Sequence, residues 1–413
     1  MSGVSFKIST KNLAMCLIIL MFIAHARFFY LIDVSIDRRI IQSLCAIFAF
    51  FAYTPGGIRS IRPANKIVYS FLFLAIVQLI ASGFIYNQSI EVVTKLFLEY
   101  GVLFSVFPIV WYALDRKKGI ETIENIVIII GALMATFLVV EGLILQPIGY
   151  SFLGIDFGVR LGGIRYINST EPILFASALS LTMLLKRKHM IRKTIVYIYS
   201  MIICIMELLL ISKTRAILIM LFITIIAVVW ARGYYTKGNV TAKRTLIFIG
   251  LTAFVIWIIN TSIFSEYFTD YLQTQDTQYD TVAIRSNEIA YALGLLGRNP
   301  FTTLFGTGFV SEYSSALSYQ GTSLKGVRTD LGAIGFINEF GVFGAIWLIG
   351  ILVYATRTLI TAIRLRKDAL DLVAVYMIFV LGLPTLFLFN GERMPYFPLF
   401  LSIVIFHDIA SNH

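Results

Sequence analysis

A series of apolar blocks, each roughly 17–25 residues long and separated mostly by short charged connections, limits what this chain can fold into. A helix rises about 1.5 Å per residue, so a block of that length reaches across about 30 Å of hydrocarbon. The blocks predict helices at about 12–32, 40–55, 67–86, 92–113, 123–147, 172–186, 193–211, 214–231, 244–264, 333–356, 371–389 and 395–410. Only 14% of the 413 residues are charged and 58% are hydrophobic. Soluble domains carry about a quarter charged residues, and their cores do not absorb so much apolar surface. Residues 1–413 read as one integral membrane domain of the all-α class, a polytopic transmembrane bundle of about 12 helices. The first block contains His25 and Arg27 and is followed by no A-x-A cleavage pattern, so it reads as a retained helix.

The net charge of +11 does not indicate nucleic acid, because the basic residues concentrate in short loops between apolar blocks. With the N-terminus in the cytoplasm, 21 Lys and Arg fall in cytoplasmic segments and 11 outside, while Arg27 and Lys95 lie within helices. That bias orients the chain with both termini inside. Two long connections, about 148–171 and 265–332, then lie on the outer side. Loops of that length in a compact domain are functional or disordered. The second contains Ile284–Leu296, with aliphatics and Tyr291 at helical spacing, which predicts a short helix at the membrane surface.

The outer basic residues are mostly arginine: Arg38, Arg39, Arg160, Arg165, Arg215, Arg285, Arg298, Arg328 and Arg393, with Lys only at 213 and 325. A guanidinium is a fixed charge with a planar fork that holds two phosphate oxygens. Arginines gathered against the positive-inside bias point to an anionic ligand such as a lipid pyrophosphate. The competing reading pairs them with Asp270, Asp276, Asp280 or Glu288, or with phospholipid headgroups. Arg215 sits in a tight turn between two helices, where a charge is a functional candidate or a snorkelling cation.

Other charges have more modest expectations. Lys95 and Glu99, four apart on a helix, are expected to pair. Glu171-Pro172 suits a helix start without further function. Glu141 and Glu207 lie within apolar blocks and are protonated, paired or lining a cavity. Tyr166, Tyr313, Tyr319 and Tyr396 read as an interfacial belt, with one or two available for stacking on sugar rings. Cys16, Cys45 and Cys204 show neither disulfide nor metal-ligand spacing.

Four stretches in order resemble the O-antigen polymerase and ligase superfamily of bacterial membrane glycosyltransferases. Arg160-Leu-Gly-Gly163 through Asn168 resembles its R-x-x-G-…-N run, and Thr214-Arg215-Ala216 its Ser-Arg-Gly turn. Asn299-Pro300 through Gly306-Thr-Gly308 resembles its N-P-…-G-x-G stretch, and Asn338-Glu339-Phe-Gly341 through Gly344 its E-x-G-x-x-G. The resemblance covers about residues 160–344. It departs at Thr214 and Ala216, which replace Ser and Gly, and at two extra residues before Gly306. The ligases resemble one another in a histidine about nine residues before that Glu. Here the position is Asp330, and the only histidines are His25, His189, His407 and His413.

The resemblance, with Asp330 in place of histidine, implies a polymerase. Such an enzyme moves a growing glycan from undecaprenyl pyrophosphate onto the next lipid-linked repeat unit at the periplasmic face of the bacterial inner membrane. The roles expected are pyrophosphate binding by Arg160, Arg165, Arg215, Arg285 and Arg328, and catalysis by Arg215, Arg285 and Asp330, with Glu339 supporting through an outer arginine or by orienting the loop. Asp330 would be the base or acceptor for the attacking hydroxyl, the N-cap of the tenth helix, or both. No cofactor or metal is expected. The partners implied are the lipid-linked oligosaccharide, membrane lipids, a chain-length regulator and a flippase, with no nucleic acid. Two alternatives remain: a ligase transferring glycan onto lipid A core, and a flippase of lipid-linked oligosaccharide.

Overall fold

A computed structural model describes residues 9–26, 37–53, 61–86, 89–145, 147, 157–160, 163–166, 170–186, 191–212, 214–235, 281–310, 318–319, 322–365, 368–384, 387–389 and 393–412. The expected helix at 244–264 lies outside them, as do Asn168, Asp270, Asp276, Asp280 and Tyr313. Each of the other expected spans contains a helix among its described residues. In order these are α1 Thr10–His25, α2 Arg38–Tyr53, α3 Arg62–Tyr86, α4 Ile90–Asp115, α5 Gly119–Leu145, α6 Glu171–Leu185, α7 Ile191–Ser212 and α8 Arg215–Tyr235. After them come α9 Thr281–Leu296, α10 Pro300–Phe305, α11 Leu324–Asp330, α12 Ala333–Arg364, α13 Leu370–Gly382 and α14 Tyr396–Asn412. Among the described residues, six helices are long and apolar enough to cross a membrane: α4, α5, α7, α12, and the greater parts of α3 and α8. The fold is a helical bundle. Among the described residues it differs from a purely helical chain by two small antiparallel ladders, β1 Phe157–Arg160 with β2 Gly163–Tyr166, and β3 Ser318–Tyr319 with β4 Thr322–Ser323.

The bundle is organised around a break in α12. Gly341 has φ 66° and ψ −157°, a conformation that separates Ala333–Phe340 from the rest of the helix. In an unbroken helix the carbonyls of Asn338 and Glu339 would accept from the amides four residues on. Here they receive the amides of Thr307 (2.8 Å) and Gly308 (3.2 Å). Gly306, at φ 86°, lies so close that a Cβ on it would strike the Glu339 carbonyl, and a Cβ on Gly341 would strike Gly306 and Leu304. Irregular backbone inside a membrane protein needs such internal partners.

Side chains lock the junction. Arg328 is only 3% exposed, and its guanidinium donates to Asn338 Oδ1 (2.8 Å), the Gly308 carbonyl (2.8 Å) and Thr307 Oγ1. Asn338 Nδ2 donates to the Ala292 carbonyl (2.6 Å), which joins α9 to the same knot. From α3, Gln78 donates to the Phe305 carbonyl and Ser82 Oγ accepts from the Phe309 amide (2.6 Å). Aromatic rings pack around it: Phe71 against Phe389 (4.6 Å) and Trp347 (4.8 Å), and Phe336 against Phe340 (4.8 Å). Each such pair contributes about 0.5–1.5 kcal/mol beyond its burial. Much of the aromatic content is therefore internal rather than interfacial. Tyr396 departs furthest from the expected belt, being fully buried against Phe175 (4.8 Å) and Phe22 (5.4 Å).

Ion pairs fix helix ends. Lys95 pairs with Glu91 (2.8 Å) rather than Glu99, and Glu99 pairs with Arg39 of α2 (3.3 Å). Glu99 is one of the buried residues of α4, so its face meets α2 instead of Lys95. Where α5 begins, α6 ends, α13 begins and α14 ends, Lys186 Nζ lies 3.6 Å from both Glu124 and Asp371, and His407 Nε2 lies 2.9 Å from Asp371. Buried carboxylates need such partners.

Gly341→Ala and Arg328→Met each disrupt the α12 junction, one by collision and positive φ, the other by orphaning buried acceptors. Each should cost at least about 1–3 kcal/mol. Thermal unfolding in detergent should show lowered midpoints for both; midpoints equal to the unsubstituted protein would contradict this account of the break.

Candidate functional site

The site is built from segments tied to the α12 break. Asn299 caps α10, accepting from the Thr302 amide (2.9 Å) while Thr302 Oγ1 accepts from the Asn299 amide (3.3 Å). The Asn-Pro pair is thus a helix start, with Pro at a position that needs no N–H. Gly306 then leads the chain into the α12 junction.

α9 is anchored rather than loose on a surface. Ala292 packs with Val327 and Leu331, flanked by Ile289 and Ile334, and Leu295 packs with Val310 and Leu324, flanked by Tyr291. Residues three or four apart share a helix face, so Glu288, four before Ala292 and three before Tyr291, falls on this packed face and is partly buried, while Arg285, one turn earlier at its edge, is exposed. Burial raises the Glu288 carboxyl above its ordinary value, and the charge of Asp330 raises it further, while Arg285 opposes both. That coupling brings Arg285, Glu288 and Asp330 into one electrostatic group.

Asp330 is exposed at the end of α11. It does not cap α12, whose N-cap is Gly332 with no side-chain hydrogen bond. The capping expectation is therefore corrected: two residues intervene between Asp330 and the first turn of α12, and the Ala333 amide binds the Leu383 carbonyl instead (2.7 Å).

The expected arginines separate into kinds. Arg328 holds internal acceptors, so its described bonds serve the fold rather than a ligand. The ladder pairs Arg160 with Gly163 and Arg165 with Gly158, a register that puts positions 160 and 165 on one face of the hairpin. β2 packs against Leu208–Ser212, the π-helical last turn of α7, where Ser212 Oγ donates to buried Glu207 (2.5 Å). Arg215 is the first residue of α8, three positions after Ser212. Positions 160, 165 and 215 therefore belong to one neighbourhood. A cation at a helix N-terminus is disfavoured by the helix dipole unless an anion joins it. A second π turn, Glu141–Leu145, ends α5 at buried Glu141. Such turns are frequent at functional sites. Glu339 accepts from Tyr100 OH (2.9 Å) and thereby joins α12 to α4.

Sequence reasoning missed a set that links these parts. Glu171, only 5% exposed at the start of α6, accepts from Arg393 Nε (2.9 Å), and Arg393 Nη1 donates to the Thr329 carbonyl (3.3 Å), next to Asp330. His25 Nε2 lies 3.9 Å from the other Glu171 oxygen. The missed signal was a carboxylate beside Pro172, which a helix start explains by itself. No protein-family model matches the chain, and no curated protein matches it.

The raised Glu288 carboxyl gives a signed pH effect. The folded state keeps its proton to higher pH than the unfolded chain, whose carboxyl titrates near 4.5. This group's contribution to stability is thus lost as pH rises from there through the raised value. Glu288→Gln should flatten that part of the stability profile and raise the unfolding midpoint at neutral pH. Midpoints measured between about pH 4 and 8 test this; parallel profiles would contradict the grouping.

Proposed function

We propose that the chain is a polysaccharide polymerase of the bacterial inner membrane, a metal-independent glycosyltransferase with its hairpin end facing the periplasm. The observation that carries the reading is exposed Asp330 at the end of α11, near enough to Glu288 of α9 to act on its carboxyl and carried by segments fixed to the α12 break. The ordered resemblance of residues 160–344 to the O-antigen polymerase and ligase superfamily, and the arginines of the hairpin and the α7–α8 turn, support it.

In this reading the donor is a growing glycan on undecaprenyl pyrophosphate. The bond between its anomeric carbon and the pyrophosphate oxygen breaks, and the electron pair leaves with the pyrophosphate. The hydroxyl oxygen of the next lipid-linked repeat unit bonds to that carbon and gives its proton to Asp330. Arg160, Arg165, Arg215 and Arg285 stabilise the departing charge, which preorganised donors do effectively. Arg328 acts through the scaffold, and Glu339 supports it through Tyr100. A chain-length regulator and a flippase are the natural companions.

Two alternatives stand behind this one. A ligase onto lipid A core uses the same chemistry, but Asp330 stands where the ligases resemble one another in a histidine. A flippase gains support from the broken helix, a feature of transporters. Here the break is filled by the protein's own Gly306–Gly308 backbone, which favours a fixed catalytic scaffold.

Deleting the gene should collapse the surface polysaccharide ladder to a single repeat unit on gels. Loss of glycan from lipid A core with long lipid-linked chains accumulating would instead mean a ligase, and accumulation on the cytoplasmic face a flippase. Arg215→Ala, Arg285→Ala and Asp330→Asn should each abolish long glycan with the protein still in the membrane. Wild-type lengths would remove the pyrophosphate and base roles.

A further inference from the structure

Arg393 differs in kind from Arg328. Arg328 is enclosed and bound to three acceptors, whereas the Arg393 side chain is 20% exposed and makes two hydrogen bonds, one from Nε to Glu171 and one from Nη1 to the Thr329 carbonyl. A guanidinium has five N–H donors, so three remain unused toward the described residues. Nη2 makes none of the described bonds and is not among the buried orphaned atoms, so it reaches accessible surface. The group is thus mostly desolvated, held in one orientation and open at one edge.

Its surroundings explain why it is held there. Glu171 Oε1 accepts from Nε, and the carboxylate is itself buried, with His25 Nε2 3.9 Å from Oε2. The ring of fully buried Tyr396 stacks edge-on against His25 at 5.2 Å, and its hydroxyl has no hydrogen-bond partner among the described residues. These groups come from α1, α6 and α14, so three helices set the Glu171–Arg393 pair. The Thr329 carbonyl that Arg393 also holds immediately precedes Asp330. A rigid guanidinium, bound to the backbone just before an exposed carboxylate and open at one edge, is arranged to receive two oxygens of a phosphate or diphosphate.

We propose that Arg393 binds the diphosphate of a polyprenyl-type lipid beside Asp330, with Glu171 as its positioning residue. This inference rests on the polymerase reading and singles out from the outer arginines one that was given no individual role by sequence, together with the carboxylate that positions it. It also assigns to Arg393 the contact that sequence reasoning gave to Arg328.

The experiment uses the full-length protein in detergent, with farnesyl pyrophosphate, inorganic pyrophosphate and phosphatidylglycerol vesicles as probes. Binding is read by thermal stabilisation. Farnesyl pyrophosphate should stabilise the unsubstituted protein. Arg393→Lys, which keeps the charge and loses the fork, should weaken that affinity about tenfold or more. Glu171→Gln should weaken it less, and should leave the probe preference unchanged. Should either variant fail to fold, modification of Arg393 by phenylglyoxal in the unsubstituted protein, located by mass spectrometry, gives the same answer. Farnesyl pyrophosphate should protect it. Equal affinity in Arg393→Lys, or absence of that protection, overturns the inference and leaves the polymerase reading standing. Equal protection by phosphatidylglycerol makes this a phospholipid headgroup contact and also overturns it. No binding of farnesyl pyrophosphate by the unsubstituted protein overturns the polymerase reading as well.

Discussion

The rest of the structure depends on how two backbone carbonyls are satisfied at the break in α12. Away from water an unpaired peptide group costs several kcal/mol, on the order of a whole domain's stability margin when doubled. The chain meets this by passing Thr307 and Gly308 under Asn338 and Glu339, so the large connection before α12 and the helix itself form one unit. The cost of the arrangement is that Gly306 and Gly341 must both be glycine, and that a charged side chain, Arg328, is buried to complete the hydrogen bonding. What it achieves is rigidity: α9, α10 and α11 are fixed relative to α3 and α12, and through them Arg285, Glu288 and Asp330.

Electrostatics divides the molecule. At one end a Lys and a His are committed to Glu124 and Asp371 where four helices meet. At the other, arginines stand at a hairpin, a helix start, the first turns of α9 and the loop before α14, and acidic groups are interleaved with them. Arg39 is matched by Glu99 and Arg393 by Glu171, but Arg393 keeps donors unused toward the described residues. The distinction between a guanidinium that completes the fold and one that offers an open edge cannot be drawn from residue type. It requires knowing which carbonyls lie within reach.

The spans were legible because length and hydropathy are local properties, and a run that crosses hydrocarbon has few other uses. The helix around 284–296 was also legible, since its apolar spacing is the face that packs on Val327 and Leu331. The break was not, because Gly341 lies in an apolar run that reads as continuous helix, and only a contact between residues 31 apart (Thr307 to Asn338) reveals it. Asp330 was recognisable as a polar residue before a helix, but its cap assignment failed because Gly332 takes that place. Lys95 could pair in either direction along its helix, and tertiary contact with Arg39 decided it. The hairpin was visible in retrospect as the alternation Phe157-Gly-Val-Arg160 and Gly163-Ile-Arg-Tyr166. The aromatic cluster and the Glu171–Arg393 pair bring together residues far apart in the chain, and no local pattern encodes such proximity.

The central claim is that the guanidinium-rich end of the bundle faces away from the cytoplasm. Replacement of Cys16, Cys45 and Cys204, followed by single cysteines at exposed positions 285, 298 and 118, allows a direct test with a membrane-impermeant maleimide on spheroplasts. Labelling at 285 and 298, with 118 reactive only after lysis, is the result this account predicts. Labelling at 118 with protection at 285 and 298 would invert the molecule in its membrane and contradict it.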